Sequence, residues 1–237
     1  MTSWRDFGVT ETLRETLPGW VVDLASVLAL FGDLLVIVPV LGMLYLADVA
    51  RRLHSEDEPT PLARDRTVFV IATVFGGLAL VVLLKGVLAL PRPPAAWHAI
   101  EASEHGFPSG HAMAATVCWG ALAVWLEVGR RRTRFVAAAS LIAIVAFSRL
   151  ALGVHYLTDV VASVAFGVAY LAAVAVLADR DPVRTFGVAV AIAVVATVVT
   201  AGESRAILAL TGTVGALVGW RVVEWSPVRQ RLLAAVE

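Results

Sequence analysis

EHGFPSGHAMAATVCWGALAVWLEV, residues 104–128, opens as a small polar turn and continues as a long apolar run. The turn holds Pro108, Ser109, Gly110 and His111. A hydroxyl that can cap, a glycine that lets a ligand approach the backbone, and free N–H groups are what a helix N-terminus needs to hold an anion. His111 adds a side chain that trades protons near neutral pH. The apolar run behind the turn has the length and composition of a membrane-crossing helix. The stretch therefore reads as a polar site at the mouth of a membrane helix, and the fold follows from asking what surrounds it.

Composition gives the same frame. Of 237 residues, 59% are hydrophobic and 16% charged, against roughly a quarter charged in soluble domains. Apolar runs recur at 20–47, 67–90, 109–128, 135–154, 158–178, 185–201 and 206–223. They predict an all-α, polytopic transmembrane helical bundle of about seven spans, or six if the N-terminal region is re-entrant. Three segments follow. Residues 1–19, with Trp4, Phe7, Leu13 and Leu17, read as an interfacial segment; no signal-peptide pattern is present in it. Residues 20–178 form the core. Residues 179–237 add two C-terminal helices, rich in Ala, Val and Gly, and a short tail.

The basic residues are eighteen arginines and one lysine, balanced by nineteen acidic residues, so no bulk positive field points to nucleic acid. The arginines are unevenly placed. Arg51, Arg52, Arg64, Arg66, the Arg130–Arg134 cluster, Arg180, Arg184, Arg221, Arg229 and Arg231 fall on one side of the bundle; Arg5, Arg14, Arg92, Arg149 and Arg205 fall on the other. The positive-inside rule then predicts a cytoplasmic C-terminus and an outward-facing opposite side. Cys118, alone in an apolar run, reads as a small buried hydrophobe.

Three groups of polar residues fall on that outward side. Lys85 and Arg92 are seven apart, which on one continuous helix puts them on nearly the same face; Pro91 predicts that the helix distorts or ends nearby. Ser109, Gly110 and His111 start the third span. Ser148, Arg149, His155 and Asp159 flank the junction of the fourth and fifth. His155 and Asp159 are four apart, helical spacing at which the carboxylate reaches the imidazole and frees its other nitrogen for attack or proton transfer. Charges at membrane depth are costly without a partner or a watery cavity, and arginine and lysine match a phosphate dianion. No acidic cluster of metal-ligand spacing accompanies them, so charge neutralisation is expected from the cations alone, with no metal and no cofactor.

Lys85-x6-Arg92-Pro93, Pro108-Ser109-Gly110-His111 and Ser148-Arg149-x5-His155-x3-Asp159 together resemble the three-part signature of the type 2 phosphatidic acid phosphatase family, which shares its site with the vanadium haloperoxidases. The resemblance covers residues 67–178. It implies a helical membrane fold and metal-independent hydrolysis of a phosphate ester or pyrophosphate. It implies that His155 is the nucleophile that forms a phosphohistidine, that Asp159 orients it, and that His111 protonates the leaving oxygen and then activates water. Lys85, Arg92, Arg149, Ser109 and the Gly110 N–H would hold the phosphoryl oxygens. The expected partner is a lipid phosphate or polyprenyl diphosphate in the membrane; no obligatory protein partner is inferred.

Two other classes compete. An anion transporter or channel would use the buried cations as a path, but simple conduction has no need of a His–Asp pair. A vanadate-dependent peroxidase would use the same pocket, but the lipid-embedded frame favours the phosphatase branch. Outside the signature, Asp33 is an intramembrane carboxylate and hence a functional suspect. His98, His105, Glu101 and Glu104 read as a solvated outer loop, Glu203 and Arg205 as a pair on the active side, and His54 as a residue of the charged inner loop without a nameable partner.

Overall fold

The computed structural model describes Arg5, residues 7–53 and residues 61–234; Trp4 and His54 lie outside the described residues. The described residues form ten α-helices and two short 3-10 turns, with a single isolated bridge between Pro91 and His105. The helices are α1 (Val9–Thr16), α2 (Gly19–Leu28), α3 (Leu34–Leu53), α4 (Asp65–Leu88), α5 (Gly110–Trp125), α6 (Arg131–Ala151), α7 (Leu157–Leu177), α8 (Pro182–Val199), α9 (Ser204–Glu224) and α10 (Ser226–Ala234).

Six of them, α3, α4, α6, α7, α8 and α9, are long and apolar enough to cross a membrane. The sixteen residues of α5 span only ~24 Å at ~1.5 Å per residue, yet α5 is the most enclosed part of the bundle. Ala112, Met113, Ala114, Ala115, Thr116, Val117 and Cys118 are all buried, so α5 runs through protein rather than along lipid. With α5 the bundle has about seven spans, as the hydropathy pattern predicts.

The centre is built from α4 and α5, with α6 and α7 against α5 and α8 and α9 against α4. Small residues set the spacing. A Cβ on Gly77 of α4 would lie 2.6 Å from Val117 Cγ1 of α5, so only glycine lets these two helices approach this closely. Phe69, Val70, Val74, Met113, Val117 and Leu171 fill the space between them. The C-terminal helices complete this packing: Phe186, Ala189, Ala193 and Ala196 bury one stripe of α8. Asp181 starts α8, accepting from the Val183 and Arg184 N–H groups at 2.8 and 3.3 Å, with Pro182 at the first helical position.

Four expectations change. The first span is not one helix over 20–47. Helix α2 runs into a 3-10 turn, Ala29–Gly32, the chain turns extended at Asp33 (φ −97°, ψ 154°), and α3 carries on to Leu53. The break forms because the Asp33 carboxylate takes the Leu35 N–H at 2.9 Å, capping a new helix instead of continuing the old one. Second, α4 ends at Leu88, where Ala89 turns left-handed (φ 44°), three residues before Pro91. Lys85 is therefore in the last turn of α4, and Arg92 is on the loop beyond it rather than on the same helical face. Third, the helix expected over 135–154 begins earlier, at Arg131, so that most of the Arg130–Arg134 cluster forms the first turn of α6. Fourth, the N-terminal segment is not simply an interfacial helix. Helix α1 packs on α6, and Thr10 Oγ1 donates to the His155 carbonyl at 2.9 Å.

Candidate active site

The loop after α4 turns back on itself. Gly106 N–H donates to the Leu90 carbonyl at 2.8 Å, and Pro91 bridges to His105, which closes residues 91–105 into a flap over the end of α4. Lys85 Nζ donates to the His105 carbonyl at 2.9 Å. Arg92 is held at four points. Its Nε meets the Ser103 carbonyl, one Nη meets Ser103 Oγ at 2.8 Å, and the other meets the Val154 carbonyl at 2.7 Å and sits 3.1 Å from His155 Nε2. This fork ties the 91–105 flap to the α6–α7 junction and fixes a guanidinium beside the imidazole.

Arg149 comes from the last turn of α6 and is 4% exposed. Its Nε has no hydrogen-bond partner among the described residues, and neither does the fully buried Ser109 Oγ. Ser109 occupies the N-cap of α5 without a side-chain cap bond, so its hydroxyl is uncommitted, and Gly110 brings the start of the helix to the cavity. Ser148, by contrast, is turned to the Val145 carbonyl at 2.7 Å and has a structural job.

His155 is not on a helix. It precedes α7, whose N-cap is Tyr156, and Asp159 is the third residue of that helix. The Asp159 carboxylate is divided between two donors: Oδ2 accepts from the Tyr156 N–H at 2.9 Å, and Oδ1 accepts from Arg5 at 2.9 Å. His155 Nδ1 consequently faces Asp159 Oδ2 at 3.6 Å, a close charge–dipole contact longer than a hydrogen bond. The expected one-face pairing is thus replaced by a capping geometry, and the imidazole is oriented chiefly by its burial and by Arg92.

Sequence reasoning missed Arg5. It is 3% exposed, donates to Asp159 Oδ1 and to the Pro91 carbonyl at 2.6 Å, and lies over the Tyr156 ring at 5.1 Å. Its only signal in the sequence is that it falls on the same side of the bundle as the site. Asp33 is the second addition: its Oδ2 lies 3.1 Å from His111 Nε2.

Lys85, Arg92, Gly110, His111, Arg149 and His155 line one cavity of about 800 Å³, and Ser109 and Asp159 are packed behind it. Burial, with the charge of Arg205 next, lowers Arg92 to about 10, which leaves it cationic at neutral pH. Burial first, then Arg92, Arg149, Lys85 and His111, holds His155 well below the usual imidazole range. The neutral form of the imidazole is the one that nucleophilic attack requires. Arg205 and Glu101 also line the cavity, while His98 turns away to the Pro93 carbonyl at 3.0 Å. Among the described residues, no three His, Cys, Asp or Glu side chains gather as a metal-binding group.

Residues 66–182 match the PAP2 superfamily, and every signature residue falls inside that range. A crystal structure of a transmembrane PAP2-type phosphatidylglycerolphosphate phosphatase from Bacillus subtilis shares the fold, with a TM-score of 0.59 and 21% identity over 73% of this chain and 84% of that one. No curated protein matches the sequence. Residues 66–182 thus carry the PAP2 superfamily core, and with its membrane-spanning helices the protein is an integral membrane protein. Arg5, Asp33 and Arg205 all lie outside the matched range.

Removing one partner of a buried ion pair typically costs about 3–5 kcal/mol. Arg5→Ala is therefore expected to lower the melting temperature in detergent and to slow phosphate release at least about tenfold, with Arg5→Lys retaining more of both. Unchanged melting and unchanged rate would show that the N-terminal segment has no part in the site.

Proposed function

We propose that this protein hydrolyses lipid phosphate monoesters or polyprenyl diphosphates through a phosphohistidine on His155, without a metal ion, on the extracytoplasmic side of the membrane. The observation that carries this reading is His155 Nε2 held 3.1 Å from the Arg92 guanidinium, in a cavity it shares with Lys85, Arg149 and His111. A phosphoryl group drawn to these cations meets the nucleophile at its centre.

The chemistry follows in two halves. Lys85, Arg92, Arg149, Ser109 and the Gly110 N–H bind the phosphoryl oxygens and stabilise charge as it builds in the transition state. His155 Nε2 attacks phosphorus as the bond to the leaving oxygen breaks, and His111 supplies that oxygen with a proton. Asp159 faces the positive charge that develops on the His155 ring. In the second half His111 takes a proton from water, water oxygen attacks phosphorus, and the P–N electron pair returns to His155.

The cavity walls support a lipid substrate. Leu78 and Val82 of α4 and Leu208 and Ala209 of α9 continue from the cations along the bundle, offering an apolar path to acyl or prenyl chains. The sidedness rests on charge. The end of the bundle opposite the site carries Arg51 and Arg64 around Asp48, and Arg66 paired with Glu127 at 2.9 Å. By the positive-inside rule that end, with the C-terminus, is cytoplasmic.

With EDTA present, liposome-reconstituted protein is expected to release phosphate from a lipid phosphate panel, and His155→Ala to abolish release. Activity lost to EDTA, or retained in His155→Ala, would contradict the mechanism. A membrane-impermeant thiol reagent is expected not to label Arg131→Cys in intact cells; labelling would reverse the orientation.

A further inference from the structure

We infer that Asp33 is the positioning residue for His111, so that the proton carrier works against a carboxylate of its own. The inference rests on the reading of His111 as the acid for the leaving oxygen.

The contact is direct: Asp33 Oδ2 lies 3.1 Å from His111 Nε2, and both residues line the cavity. The second carboxylate oxygen is committed elsewhere, accepting the Leu35 N–H at 2.9 Å, so the carboxylate cannot rotate freely. The backbone on either side is equally fixed. Trp119 Nε1 of α5 donates to the Phe31 carbonyl at 2.8 Å. Gly32 lies so close to α5 that a Cβ there would come within 2.5 Å of the His111 carbonyl oxygen and 2.8 Å of Val145 Cγ1. The 3-10 turn is thus docked against the α5 backbone at His111, and Asp33 is its last point of contact.

This geometry has a chemical consequence. With Nε2–H donated to Asp33, Nδ1 is the nitrogen that exchanges a proton with substrate. In the first half-reaction the proton on Nδ1 of the imidazolium passes to the leaving oxygen as its bond to phosphorus breaks and the His155 Nε2–P bond forms. His111 is left neutral with Nε2–H still on Asp33. In the second half a water proton passes to Nδ1 as water oxygen attacks phosphorus, the P–N bond breaks, and Asp33 stabilises the imidazolium that results. A fixed carboxylate serves both halves by holding the tautomer and balancing the charge.

The competing explanation is that Asp33 merely caps α3. Asp33→Asn separates the two, because asparagine is as good an N-cap and keeps the Leu35 bond but loses the charge. The test compares kcat/KM for an alkyl phosphate, whose leaving oxygen needs a proton, with p-nitrophenyl phosphate, whose leaving group does not. Wild type, Asp33→Asn, His111→Ala and the double variant are measured on both, with His155→Ala as the control for the nucleophile. Asp33→Asn is expected to lose at least about tenfold more on the alkyl ester than on the nitrophenyl ester, a part of the ~10²–10⁴-fold that general acid catalysis contributes. The double variant is expected to be no slower than His111→Ala. Equal losses on both esters, or a full further loss in the double variant, would overturn the role of Asp33 while leaving the phosphohistidine reading intact. Turnover by His155→Ala would overturn that reading, and the role of Asp33 with it.

Discussion

Three cations converge on one buried imidazole at the end of an apolar bundle, and much of the structure answers that constraint. Two unit charges ~4 Å apart interact by about 4 kcal/mol at an effective dielectric of about 20. Lys85, Arg92 and Arg149 are therefore not stable neighbours on their own account. The chain offsets their repulsion with oriented carbonyls and carboxylates: His105 on Lys85, Ser103 and Val154 on Arg92, and Asp159 and Asp33 beside the two histidines. A dianionic phosphate brings the charge that this arrangement favours, and burial first, then the neighbouring cations, holds His155 well below the usual imidazole range.

The packing of the bundle serves the same end. A short helix of small residues, α5, brings Ser109, Gly110 and His111 into the interior from the direction of the site. Glycine at position 77 lets α4 lie close enough to deliver Lys85 to the same cavity. The end of α6 adds Arg149, and the turn before α7 adds His155. The N-terminal region then closes the structure from outside the family's matched core: the 3-10 turn before α3 supplies Asp33, and Arg5 reaches Asp159 from behind.

The helical membrane bundle and the three groups lining its site were legible in the sequence because they rest on local signals. Apolar runs of span length give the helices, and alternation of spans puts Lys85, Arg92, Ser109, Gly110, His111, Arg149, His155 and Asp159 at one end. What was illegible is tertiary. The seven-residue spacing of Lys85 and Arg92 suggested one helical face, but α4 ends at Leu88 and a folded-back loop brings them together instead. The four-residue spacing of His155 and Asp159 suggested a helical pair, but His155 precedes the helix and the carboxylate is drawn to Tyr156 and Arg5. Arg5 and Asp159 are separated by most of the chain, and no periodicity announces such a pair. Asp33 was conspicuous as a membrane carboxylate, but only the break between α2 and α3 brings it to His111.

The proposed division of labour between the two histidines is central: His155 to attack phosphorus, His111 to move protons. The measurement that bears on it most directly is to quench the enzyme during turnover of a lipid phosphate and locate the covalent phosphate by mass spectrometry under conditions that preserve phosphohistidine. Phosphate is expected on His155 and none on His111. Phosphate on His111, or turnover with no phosphoenzyme on His155, would contradict it.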